Sequence, residues 1–246
     1  MHRSIGFLMV LLVTGRSAAA QTAASLGPAV RAYVSVDASV VALTHVRLID
    51  GTGAAPRTDQ TIILNQGKIA WVGAATGAKI PSEARIMDLT GHTVIPGIVG
   101  LHNHTFYYTN APRAVQSNYS APRLYLGQGV TTIRTTGSAS PYAEINLKAN
   151  IERGEAPGPR MLVTGPYLIS PGPDMRLDQL GMHELSGAAQ ARRVVDYWAE
   201  EGASWLKVYT QLTRATARAL VDAAHQRGLK VTGHICSIGF REAAEL

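Results

Sequence analysis

The chain has one cysteine, Cys236, among 246 residues. No disulfide can form within it, so stability must come from burial or from metal. It also lacks a dense lysine or arginine tract. The 23 basic and 17 acidic residues are interspersed, giving a formal net charge of +6. That pattern provides no basic stripe, so no nucleic-acid partner is expected. Long apolar runs are missing too. The stretch Ile5 to Val13 is too short to span a bilayer comfortably. With 46% hydrophobic residues, the composition is that of a soluble globular chain without a signature of disorder.

That short apolar run has a different meaning. His2 and Arg3 precede it, and Ala18-Ala19-Ala20 follows it before Gln21. Basic start, apolar middle and small-residue site together predict a signal peptide over residues 1–20, cleaved after Ala20. The expected location is secreted or periplasmic, with no stable membrane span after cleavage; an uncleaved anchor is the alternative. Loss of Arg3 and Arg16 would leave a mature charge of about +4.

Residues 21–38 are small and polar and are expected to be a tether. Residues 39–94 predict a small β domain. Strands are expected over Val40 to Ile49, Thr61 to Leu64, Lys68 to Val72 and Arg85 to Leu89, separated by Asp50-Gly51-Thr52-Gly53 and Asn65-Gln66-Gly67 turns. Such a unit is marginal alone. From residue 95 to 246 the pattern alternates. Strands are expected at Ile98–His102, Val130–Thr135, Arg160–Thr164, Trp205–Tyr209 and Leu229–His234, with helices between them. The clearest helices are Ala188–Glu201 and Thr213–Arg227, with Thr213 as N-cap and Gly228 as stop. Alternating β and α elements imply a parallel sheet, either doubly wound or a (β/α)8 barrel.

The chemistry begins at Pro96-Gly97-Ile98-Val99-Gly100-Leu101-His102-Asn103-His104. Side chains alternate along a strand, so His102 and His104 share a face. Two neutral imidazoles on one face are half of a zinc-type site. His234 ends the fifth strand, and Lys207 lies inside the fourth, on the face of Trp205 and Tyr209. A lysine directed into a barrel must be paired, neutral or chemically altered. Catalytic groups at the C-terminal ends of several strands favour the barrel. The remaining histidines are weaker candidates: His45 and His92 as surface or turn residues, His183 in a loop, and His225 late in a helix. Cys236 is two residues past His234 and is expected to be a buried, inert thiol. Tyr107, Tyr108 and Tyr209 are expected chiefly to pack, and Pro171-Gly172-Pro173 to form a rigid loop on the substrate side.

This order resembles the amidohydrolase superfamily of metal-dependent hydrolases. Asp50-Gly51-Thr52-Gly53, Gly67-Lys68-Ile69-Ala70-Trp71-Val72-Gly73 and Asp88-Leu89-Thr90-Gly91-His92-Thr93-Val94-Ile95-Pro96-Gly97 agree with it. Trp205-Leu206-Lys207-Val208-Tyr209 and Gly228-Leu229-Lys230-Val231-Thr232-Gly233-His234 look like the imidazolonepropionase-like and Xaa-Pro-dipeptidase-like branch. The resemblance covers about residues 40–246. It implies His102 and His104 on one divalent metal, His234 on a second, and a carboxylated Lys207 bridging them. The cofactor implied is a divalent pair, two Zn2+ in an intact member, although nitrogen and oxygen ligands also accept manganese, iron or cobalt. The reaction implied is hydrolysis of an amide or other C–N bond of a small molecule or dipeptide by a metal-activated water.

The same resemblance requires a histidine after a sixth strand and an aspartate after an eighth. Neither position exists in the sequence, so no catalytic residue is assigned, and the substrate-binding residues and oligomeric state stay open. The fold expected is α/β, an incomplete TIM barrel of about five of eight βα units with a small N-terminal β-sandwich-like domain. This implies a fragment, a split gene product or a premature stop, without turnover by itself. A non-catalytic remnant that binds one metal, or a protein partner through an open sheet edge, is the second reading. A mononuclear deaminase-like enzyme is the third, disfavoured by Lys207.

Overall fold

The computed structural model describes residues 23–108, 114–173 and 181–246. The expected signal peptide lies outside them. No helix among the described residues is long and apolar enough to cross a membrane.

The stretch expected to be a tether carries a short helix, α1 (Pro28–Arg31). Gly27 donates its N–H to the Gly154 carbonyl at 2.9 Å. Leu26, Val30, Tyr33 and Val34 line a cavity of about 220 Å3 together with Leu126 and Ile151. Those few apolar side chains, scattered among small residues, give the segment something to pack.

Five strands follow: β1 (Val40–Leu48), β2 (Arg57–Asn65), β3 (Lys68–Ala74), β4 (Arg85–Asp88) and β5 (Thr93–Val94). They form one sheet in the order β3-β2-β1-β4, with β5 also paired to β1. Both faces of β1 are used. Val40 and Ala42 pack with Ile63, whereas Val46 and Leu48 pack with Ile62. The change of face follows from register shifts in the β1–β2 pairing between Leu43 and Leu48. His45 stands at the first shift with φ 58° and reaches Asp59 at 2.7 Å. It is a surface residue remote in sequence from the other candidate ligands.

Parallel strands come next: β6 (Ile98–Asn103), β9 (Val130–Thr135), β10 (Arg160–Leu162), β11 (Thr164–Ile169), β13 (Trp205–Val208) and β14 (Lys230–Gly233). Strand β9 pairs with β6 and β10, and β13 pairs with β11 and β14, all parallel. Residues 160–169 join the two groups. At Val163 the chain leaves β9 and turns toward β13, and the Ser204 N–H bonds the Val163 carbonyl at 2.9 Å. Thr135 holds the break, since its hydroxyl accepts from the Thr164 N–H at 2.9 Å. A short hairpin of β7 (Phe106–Tyr108) and β8 (Ala114–Gln116) follows β6, and β12 (His183–Glu184) adds to β11. No closed barrel is present among the described residues.

Helices cover one side of this arc: α2 (Ser120–Gly127), α3 (Pro141–Glu152), α4 (Ala188–Glu200) and α5 (Arg214–Gln226), with α6 (Phe240–Ala244) at the end. Ala191, Val195 and Trp198 recur on one face of α4, and Ala217, Leu220, Val221 and Ala224 on one face of α5. They bury Leu168, Leu206 and Val208 of the strands. Full burial of a side chain such as Leu206 or Leu220 contributes roughly 1.5–3 kcal/mol. Thr213 caps α5 by accepting the Thr216 N–H at 3.3 Å. Gly228, at φ +70°, ends it in the left-handed conformation.

Burial falls off from the centre of the arc to its edges. All six residues of β11 are buried, whereas no residue of β6 or β14 is. Ile98, Val99 and Leu101 of β6 are 48%, 55% and 67% exposed.

Candidate metal centre

The side chains singled out by spacing meet at one end of the arc. His102 lies near the end of β6 and His104 just past it. Their rings stand edge to face, with centroids 5.4 Å apart. Two imidazoles sharing a tetrahedral ion at about 2.0–2.1 Å would have centroids roughly 5 Å apart. His234 follows β14, where its N–H continues the parallel ladder to the Val208 carbonyl at 3.1 Å. Its ring centroid is 6.4 Å from that of His102. Among the described residues, no three His, Cys, Asp or Glu side chains are drawn together closely enough to hold an ion by themselves. The donors converge in one neighbourhood but are not closed around one point.

Lys207 comes up between them from the middle of β13. Its register partners are Tyr167 of β11 and Thr232 of β14. It is 1% exposed and has no hydrogen bond or ion pair among the described residues. Burial pushes its amine down to about 8, and the Arg134 guanidinium adds to that. A sizeable neutral fraction near pH 8 is what such a value means.

The histidines respond to the same surroundings. All three are held below the usual imidazole value, first by burial. His102 and His234 also feel Lys207, and His104 feels His102 and Lys207. These mutual effects tie the four groups to one site. They favour neutral imidazole, the form that binds metal. His104 Nδ1 is buried and has no well-formed hydrogen bond among the described residues, while the nearby Gly137 backbone favours the protonated ring. A buried donor or acceptor without a partner costs free energy. An electropositive ligand would satisfy it. Three neutral imidazoles, an orphaned ring nitrogen and a readily deprotonated amine suit a divalent cation.

An aromatic wall borders these groups. Phe106, Tyr167, Ile169 and Met182 form a buried cluster, with Tyr108 and Tyr209 against it. His104 lies 5.2 Å from Phe106 and His234 lies 4.7 Å from Tyr209, centroid to centroid. Tyr108 and Tyr209 pack here, whereas Tyr107 is 62% exposed. Cys236 is exposed, which corrects the buried thiol expected there: the chain after β14 runs over the surface before Ile238 re-enters the core. His92 and His183 are exposed as well.

Several neighbours gave no signal in the sequence. Tyr167 lies beyond the expected end of the third strand, which runs on to Ile169. Arg134 reaches the Leu101 carbonyl from Nε at 2.8 Å. Glu144 is fully buried on α3 and accepts the Thr105 hydroxyl at 2.9 Å. An acid in a helix with a weak apolar stripe looks solvated by composition, and burial is visible only in the folded chain.

Known proteins share this framework. The description "Amidohydrolase family" matches residues 93–245, the region that carries all four candidate ligands. An imidazolonepropionase of Idiomarina loihiensis is 31% identical over 118 residues, which is 44% of this chain and 27% of that protein. A protein provisionally called a prolidase, from Bifidobacterium longum, superposes with a TM-score of 0.69 at 27% identity, covering 83% of this chain and 52% of the other. A Xaa-Pro dipeptidase with methionine in its active site gives 0.70 at 22% identity, covering 84% and 59%. The chain therefore spans about half the length of the solved structures it resembles, and less of the imidazolonepropionase. With the family pattern laid over the segment that gathers the histidines and the lysine, the chain belongs to the amidohydrolase family.

Proposed function

We propose that the chain carries the N-terminal part of a metal-dependent hydrolase acting on a C–N bond of a small molecule or dipeptide. The observation that carries this reading is the convergence of His102, His104 and His234 around the buried Lys207, which has no ion-pair partner among the described residues. His102 and His104 would hold one divalent cation and His234 would help to hold a second. Zinc suits the nitrogen ligands. Lys207 would help to hold the pair once its neutral Nζ has added to carbon dioxide and lost a proton, giving a carbamate whose single negative charge is shared by two oxygens. Divalent cations at such a site supply Lewis acidity and acidify water near neutral pH.

This chain's own residues do the rest. Depressed basicity favours neutral imidazoles and gives the Lys207 amine a sizeable neutral fraction near pH 8. Tyr167, Tyr209, Phe106 and Tyr108 form an aromatic wall on one side of the site, whereas His102 and His234 are exposed. Amidohydrolase relatives that act on amide-type bonds support the choice of substrate class; one is called an N-substituted formamide deformylase, 35% identical over 74 residues.

The arc of parallel strands is read as five of the eight units of a TIM barrel over residues 95–246, preceded by the small β domain of residues 39–94. Support comes from the exposed β6 and β14, each with one strand neighbour among the described residues, and from the half-length match to relatives. A barrel has no such edges. Residues 1–20 are read as a cleaved export signal.

Metal analysis of the exported chain tests the reading. Two equivalents of zinc or cobalt per chain, with one lost in Lys207→Ala, support it. Zero equivalents, or one that is indifferent to Lys207, would instead favour a non-catalytic remnant.

A further inference from the structure

The His102–His104 segment is held from three sides by residues outside the ligand set. Arg134 of β9 donates from Nε to the Leu101 carbonyl at 2.8 Å, with Nη2 on the same oxygen. Its guanidinium is fixed in turn over the Trp205 ring, 4.4 Å from the centroid. Tyr125 of α2 donates its hydroxyl to the His104 carbonyl at 3.0 Å. Thr105 donates its hydroxyl to Glu144 Oε1 of α3 at 2.9 Å, and both residues are 0% exposed. Each bond lands on a ligand or on the residue beside one.

The backbone between these anchors is irregular. Pairing of β6 with β9 shifts register between Gly100 and Asn103. The Asn103 side chain folds back over Gly100, where any β-carbon would collide with it. A shifted register frees the strand end from regular ladder bonds, so side chains must define its direction. Glu144 occupies a costly position for that purpose. Its Oε2 is buried and has no well-formed hydrogen bond among the described residues, and burying a carboxyl with incomplete hydrogen bonding costs free energy.

We propose that Tyr125 and Glu144 are positioning residues which, with Arg134, brace the backbone on both sides of His102 and His104 and so set the affinity of the pair for a divalent cation. The proposal rests on the metal reading above. Neither residue is a ligand. Each acts through a carbonyl or hydroxyl next to one, in the manner of outer partners that typically change metal affinity 10–100-fold.

The test is cobalt(II) titration of the full chain, read by calorimetry and by the visible absorption of the bound ion, with urea unfolding of the metal-free forms alongside. Tyr125→Phe and Glu144→Leu should each weaken binding by about 10-fold or more and alter the cobalt spectrum. Glu144→Gln, whose amide oxygen can still accept from Thr105, should bind within about 3-fold of the parent. Tyr125→Phe should leave the metal-free urea midpoint nearly unchanged. His102→Ala is the control for the metal reading and should abolish binding. If His102→Ala abolishes binding while Tyr125→Phe and Glu144→Leu titrate like the parent, the brace is overturned and the metal reading stands. Equal weakening in Glu144→Gln and Glu144→Leu also overturns it, because the acceptor role would not be what matters. If His102→Ala binds as the parent does, the metal reading has failed and the brace with it. Should Glu144→Leu not fold, Tyr125→Phe decides alone.

Discussion

Lys207 runs directly beneath Gly137. A β-carbon on that glycine would come within 2.9 Å of Lys207 Cγ and 2.6 Å of the Tyr167 ring, and the residue holds φ +84°. Gly137→Ala is therefore strained twice, by contact and by conformation. It should destabilise the chain by about 1–3 kcal/mol, more than the entropy it removes from the unfolded state returns. Urea unfolding measures this, and an unchanged midpoint would show that the space is not limiting.

Replacing Lys207 should separate stability from function. Its folded value of about 8 lies below the ordinary lysine value of 10.5, so the unfolded chain binds more protons between those limits. The penalty is fully present below about pH 8 and vanishes as pH rises toward 10.5. Lys207→Met should make the metal-free chain more stable at pH 7 by up to about 3 kcal/mol, with the gain shrinking by pH 10. Cation binding should fall at the same time. Urea midpoints at the two pH values check the first claim and cobalt titration the second.

Glu144 gives the opposite pH signature. Burial raises its carboxyl from 4.5 to about 7, against the neighbouring Thr135, Thr105 and Ser138 hydroxyls, which favour the charged form. The neutral acid is the form the fold accepts. Its favourable contribution is complete below pH 4.5 and is lost as pH climbs through 7, a change of about 3 kcal/mol. Glutamine does not titrate. The stability difference between Glu144→Gln and the parent should therefore shift in favour of the variant between pH 4.5 and 7.5. The lowered histidines make both proteins more stable as pH rises to 6.5, and this cancels in the difference. A flat difference would falsify the assignment.

The exposed face of β6 should govern self-association. Val99 is 55% exposed on a strand that, among the described residues, has a partner on one side only, an arrangement prone to pairing with another chain. Val99→Lys should lower light scattering on concentration while changing unfolding free energy by less than about 0.5 kcal/mol. Scattering that does not respond would place the sticky surface elsewhere.

The sequence reveals elements with strong periodicity. Helices α4 and α5 start and stop within a residue of expectation, because apolar spacing, the Thr213 cap and glycines act locally. Strands β6, β9, β13 and β14 lie where short apolar runs put them. Strand β11 runs past the expected end at Thr164, because the chain changes neighbours there, from β9 to β13, and continues to Ile169. Helices α2 and α3 carry weak apolar stripes and were not singled out. The four candidate ligands were legible from spacing and order. Glu144, Tyr125 and Arg134 were not, because their roles depend on contacts between residues 21 to 39 positions apart.

The exposed Cys236 gives the molecule a built-in attachment point. It is the chain's one sulfhydryl, so alkylation with an environment-sensitive dye labels a single address, two residues past His234. Fluorescence from that address would report ion arrival at the strand ends without any engineered handle.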